Sequence, residues 1–188
     1  MKRLLACTGL LMAAVTLSAQ MSSPASKPKA PPASPPQTAT ASIGGKNLTI
    51  TYSSPGVKGR EGQLFSKDGR ISKDPHYPVW RGGANEATAL VTTGDFTLGD
   101  LAVPAGNYTL FVDISDPDNW SLIVSKATGE WGLAYDGTKD LGRTKMTMAK
   151  PPAMVENLVY TITDNGSGSG TLTLAWEDHS ASVAIKAN

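Results

Sequence analysis

Apolar and polar residues alternate with a period of two through most of the chain after Ala41, and this restricts the fold more than any other feature. Leu48, Ile50 and Tyr52 alternate with Asn47, Thr49 and Thr51, and Tyr108, Leu110, Val112 and Ile114 with Thr109 and Asp113. Trp120, Leu122 and Val124 are interleaved with Ser121, Ile123 and Ser125, and Leu172, Leu174 and Trp176 with Thr171, Thr173 and Glu177; Val183 and Ile185 keep the same spacing. Successive side chains of a strand point to opposite faces, so each run has one face for a core and one for water. No segment carries an apolar stripe at helical spacing with caps.

Turn residues punctuate these runs. Gly44-Gly45 separates two of them as a hairpin signal. Pro104-Ala105-Gly106 predicts a type I turn with Gly106 left-handed. Asp116-Pro117-Asp118-Asn119 links two strands, Gly166 to Gly170 reads as a flexible hairpin loop, and Glu177 to Ser180 joins the last two strands. The expected fold is all-β: an antiparallel β-sandwich or jelly-roll-like domain of about nine to ten strands, with a closed barrel as the alternative. The stretch from Pro55 to Trp80 breaks the rhythm with four glycines and three prolines. A loop of that length in a compact domain is usually functional or disordered.

The amino terminus is of a different kind. Lys2-Arg3 followed by the uncharged run Leu4–Leu17 and the small pair Ser18-Ala19 has the pattern of a secretory signal peptide over residues 1–19. The run is too short for a span of about 20 residues, so no transmembrane segment is expected once the signal is cleaved. Leu4-Leu5-Ala6-Cys7 resembles a lipoprotein box, but the apolar run follows the cysteine instead of preceding it. Cys7 is the only cysteine, so the mature chain is expected to be cysteine-free and to rely on an ordinary core. Residues 20–40 are rich in Pro, Ala and Ser and are expected to form an extended linker. Residues 41–188 then form a single domain with 13 basic and 16 acidic residues, near −3. No basic run supplies the positive field that nucleic-acid binding needs. The expected location is periplasmic or secreted.

At Trp80 the sequence becomes more specific. Trp80-Arg81-Gly82-Gly83-Ala84-Asn85-Glu86-Ala87-Thr88 resembles the signature of the bacterial family DUF2911, a secreted domain of unknown function. Tyr52 to Arg60 is similar to that family's first block and Pro104 to Phe111 to its central block, and Trp120 and Trp131-Gly132 continue the resemblance in order. It covers about Ala41 to Ile162 and implies a secreted β-rich domain without an established activity. Gly82 departs from it, standing where a larger polar residue is expected.

The signature offers a binding chemistry. Arg81 presents a planar charged fork for a carboxylate or phosphate, Asn85 a donor and an acceptor, Glu86 an anion, and Trp80 a flat face for a sugar or cation. Lys58 and Arg60 join the set if the loop carrying them folds over it. A purely structural arrangement is open as well: Arg81 paired with Glu86, Asn85 in a tight turn, Trp80 in the core. His76 and His179, the only histidines, lie far apart in expected loops without ligand spacing, so no metal or cofactor is expected. Asp113, Asp116 and Asp118 lack the glycine and distal glutamate of a calcium loop, and no catalytic motif is present. The residues leave three readings, in this order: a non-catalytic extracytoplasmic module binding a small polar ligand or cell-envelope component; a structural or interaction β-sandwich without a ligand site; and a hydrolase-like enzyme using Arg81, Glu86 and His76.

Overall fold

The computed structural model describes residues 32–188. The signal peptide, Cys7 and most of the linker expected from the sequence lie outside these residues. The described chain forms thirteen strands and two single-turn 3-10 segments. In chain order the strands are β1 (Pro36–Ile43), β2 (Lys46–Ser53), β3 (Val79–Trp80), β4 (Thr88–Thr92), β5 (Phe96–Leu98), β6 (Leu101–Val103), β7 (Gly106–Asp113), β8 (Ser121–Ser125), β9 (Asp140–Lys145), β10 (Thr147–Ala149), β11 (Val155–Gly166), β12 (Ser169–Glu177) and β13 (His179–Ala187). Four of them, β3, β5, β6 and β10, have three residues or fewer. The expected nine to ten strands match the longer ones; the short ones exist through their partners and carry little alternation of their own.

Two antiparallel sheets pack face to face as a β-sandwich, and neither closes into a barrel. The first runs β1-β2-β4-β7-β8-β9 with β3 also on β7, and the second runs β11-β12-β13-β5-β6 with β10 also on β13. The alternating residues meet between them: Leu48, Ile50, Leu110 and Leu122 from the first sheet, and Leu98, Leu172, Leu174 and Ile185 from the second, all at most 2% exposed. Burying a side chain of this size contributes about 1.5–3 kcal/mol, and the matched period fixes the register, since a one-residue slip would turn each set outward.

Several local expectations hold and others are corrected. Ile43 pairs with Lys46, so Gly44-Gly45 forms a two-residue hairpin turn, both residues at positive φ. Gly166 pairs with Ser169, which tightens the expected flexible loop to Ser167-Gly168. Gly106 does not take the left-handed conformation; it opens β7, where its amide donates to Thr92 Oγ1. Trp176 pairs with His179, so the last turn is only Glu177-Asp178, and His179 is the first residue of β13 and not a loop residue. The expectation of one wet face fails at the middle of β7 and β8, because Phe111 and Ile123 are buried on the outer side of the sheet. There they pack with Val79, and Ala87 and Tyr135 cover them.

The linker expectation also needs correction at its end. Residues from Pro36 onward are strand, paired along β2 from Pro36↔Ser53 to Thr40↔Thr49. The Ser54 amide donates to Pro35 O at 2.9 Å, so the folded unit begins before Ala41. Repeated threonine favours a strand once a partner edge is present, and that partner is not visible from composition. No helix among the described residues is long and apolar enough to cross a membrane.

Candidate functional site

The signature is an excursion from a strand edge. Trp80 pairs with Val112 of β7 and Thr88 with Leu110, so the seven residues Arg81–Ala87 leave the sheet opposite Phe111 alone. Backbone that leaves a ladder must satisfy its polar groups elsewhere, and here it does so closely. The Gly82 carbonyl accepts from Tyr160 Oη at 2.9 Å and from Thr88 Oγ1 at 3.3 Å. The Gly83 carbonyl accepts from Trp80 Nε1 at 3.3 Å, and the Ala84 amide donates to Ser53 O at 3.1 Å. The Asn85 carbonyl accepts from the Arg81 guanidinium at 3.1 Å and from the Gly132 amide at 3.2 Å.

This packing explains Gly82. Its φ is +60°, and a Cβ there would stand 2.3 Å from Tyr160 Oη. No larger residue fits while that hydroxyl is in place. Burial pushes the Tyr160 hydroxyl well above its ordinary range, so it stays protonated and donates. Asn85 also has a left-handed φ of 59°, which asparagine tolerates better than most residues. Its side chain is exposed.

Arg81 does not pair with Glu86. Its partner is Asp74, at 2.9 Å, with side-chain exposures of 15% and 6%. Asp74 lies in the long Pro55–Trp80 stretch and caps the 3-10 turn Ile71–Lys73. That stretch is ordered by its own turns and by buried Val57, Leu64 and Ile71. Its first part is tied to β11 of the other sheet, with the Val57 amide on Glu156 O at 2.7 Å and the Lys58 amide on Glu156 Oε1 at 2.9 Å. Arg60 donates to the carbonyls of Val57 and Gly56 at 2.8 and 2.7 Å, and Lys58 Nζ to Ala33 O at 2.9 Å. Glu86 is exposed and meets only Ser53 Oγ, at 3.4 Å.

Between these segments lies a cavity of about 630 Å³. Lys58, Arg60, Trp80, Arg81 and Asn85 line it, so five of the six candidate residues converge; Glu86 does not line it. Arg70, Lys73, Asp74, Trp131, Leu133 and Trp176 also line it and were not singled out from the sequence. Five cationic side chains therefore face one space, with Asp74 the sole carboxylate among the lining residues. Trp80 is core, 3% exposed and stacked on Trp176 with centroids 5.9 Å apart. The exposed aromatic of the cavity is instead Trp131, at 54%. Its backbone bridges to Glu86, which fixes it beside the signature.

The other candidates fall elsewhere. His76 is half-buried against Tyr135, with ring centroids 5.9 Å apart, and does not line the cavity. Asp113 pairs with Arg143 at 3.0 Å, and Asp116 organises its turn by accepting from the Asp118 amide and Asn119 Nδ2.

The molecule is thus a two-sheet antiparallel β-sandwich carrying a basic cavity built mainly from loops. The family model described as protein of unknown function (DUF2911) matches residues 34–185, and the chain belongs to that family. Neither a curated protein nor a solved structure matches it.

Proposed function

We propose that the domain is an extracytoplasmic binding module whose basic cavity holds a small anion, a carboxylate or phosphate carried on a ring-shaped body. The observation that carries this reading is the gathering of Lys58, Arg60, Arg70, Lys73 and Arg81 around one cavity, in a domain whose other charged residues are predominantly acidic. A cleft lined by one sign of charge concentrates the opposite sign of ligand. Arg70 and Lys73 make no side-chain hydrogen bond or ion pair among the described residues, so their charges are available to a ligand. Trp131 and Leu133, both exposed at the rim, offer an apolar face to the ligand body. The signal-like pattern of residues 1–19 supports the extracytoplasmic place.

The bracing role and the binding role are compatible here. The Arg81–Asp74 pair holds the excursion to the long loop, and the same excursion forms the cavity wall. Glu86 and His76 do not face the cavity, so the geometry favours binding over acid–base chemistry.

A thermal-shift screen tests the reading with glucuronate, glucose 6-phosphate and benzoate against the neutral glucose and benzamide. A ligand present at a hundredfold excess over its Kd adds about 2.7 kcal/mol. The anions are expected to raise the midpoint and the neutral compounds to leave it unchanged, with Trp131→Ala weakening the anions' effect. No shift with any anion would remove the reading.

A further inference from the structure

Outside the basic cavity, the turn between β12 and β13 gathers three metal-ligating side chains in sequence. Glu177, Asp178 and His179 each bring a ligand atom to within 4.8 Å of the others. All three line a second cavity of about 250 Å³, whose wall includes Phe65 and Trp120. None of the three lines the basic cavity.

Two observations distinguish this cluster from a solvated group of charges. The Glu177 side chain is 4% exposed. Its Oε1 accepts from the Gly62 amide. Its Oε2 takes no hydrogen bond from a described residue and lies 4.0 Å from His179 Nδ1. Second, His179 Nδ1 is itself buried without a hydrogen-bond partner, although Asp178 Oδ1 is only 2.7 Å away. The nitrogen and the carboxylate oxygen are thus close without forming an aligned hydrogen bond. Leaving a buried imidazole nitrogen unsatisfied is costly; an ion held beside it by the two carboxylates would satisfy it.

We propose that Glu177, Asp178 and His179 form a site for a divalent first-row transition metal, zinc or manganese being the fitting class. One imidazole nitrogen with two carboxylate oxygens is a donor set these ions accept, whereas calcium and magnesium favour oxygen alone. Three protein ligands leave a coordination position facing the cavity. The ligands are held in advance. The imidazole packs against two rings that also touch each other, Trp120, 9° from parallel at 5.3 Å, and Phe65 at 4.5 Å. The Gly62 amide orients the Glu177 carboxylate, as outer hydrogen bonds do for metal ligands generally.

The test is calorimetric titration of the full chain, untagged and stripped with chelator, with zinc, manganese, calcium and magnesium chlorides. One equivalent of zinc or manganese is expected to bind, with no heat from calcium or magnesium. His179→Ala and Asp178→Asn are each expected to lower the affinity at least about tenfold, with the metal-free circular dichroism spectrum unchanged. His76→Ala, remote from the cluster, is expected to bind as the wild type does. Absence of zinc and manganese binding, or affinity retained in both His179→Ala and Asp178→Asn, would overturn the proposal.

Discussion

Residues 54–87 and residues 155–187 both contribute to the basic cavity, and they are built by opposite means. The second region is three long strands joined by two-residue turns, with nearly continuous pairing. The first has one 3-10 turn and the two-residue strand β3, and it satisfies its backbone through side chains and loop carbonyls. All five cavity cations come from the irregular region; the regular one supplies Trp176 as an apolar wall. Strands place side chains at fixed alternate positions, whereas a loop bound at many points can aim several charges at one space while the sheets supply rigidity.

If the irregular region is as tightly specified as the strands, single changes in it should be severe. Gly82→Val is expected to destabilise by about 3–5 kcal/mol, through left-handed strain and the displaced Tyr160 hydroxyl. Tyr160→Phe alone should cost about 1–2 kcal/mol, and the double variant less than the sum, since removing the hydroxyl relieves the clash. Denaturant midpoints measure all three, and additivity would show that the excursion is looser than the contacts indicate.

Arg81→Ala should cost about 3 kcal/mol, because it leaves the buried Asp74 carboxylate without its partner, while Glu86→Ala should stay within about 0.5 kcal/mol. A double-mutant cycle should find coupling between Arg81 and Asp74 and none between Arg81 and Glu86. On the regular side, starting the chain at Ala41 instead of Pro32 removes the pairs Pro36↔Ser53 to Thr40↔Thr49. This should cost about 2 kcal/mol without abolishing the fold, read by thermal unfolding of the two fragments.

A pH-dependent effect concerns the cover over Phe111. Burial and the hydrogen bond to Asp140 push the Tyr135 hydroxyl up to about 12. Above pH of about 10 the unfolded chain gives up this proton while the native state keeps it, so stability should be full below that point and decline as the pH rises toward 12. Tyr135→Phe should flatten this decline in unfolding curves; an unchanged slope would place its origin elsewhere.

The same contrast accounts for what the sequence revealed. Leu48, Ile50, Leu172 and Leu174 announce their strands because burial on one face imposes a period, and Gly44-Gly45 announces its hairpin because both residues need positive φ. The residues of β3, β5, β6 and β10 carry too few positions for any period. Arg81 was recognisable as a cation that needs a partner, but Asp74 could not be told from other acids, since a fold of the long loop brings it there. Arg70, Lys73 and Trp131 had no local pattern to mark them. The fit of Gly82 against Tyr160 depends on a residue far along the chain.

If the cavity's positive charge binds an anion, reversing two of its exposed cations should weaken that binding. Arg70→Glu/Lys73→Glu changes the charge facing the cavity without touching the Arg81–Asp74 brace. Calorimetric titration with glucuronate and glucose 6-phosphate is expected to show one site in the wild type and at least about a tenfold loss of affinity in the double variant, at an unchanged unfolding midpoint. Equal affinity in the two proteins, or no binding of either anion to the wild type, would contradict the account.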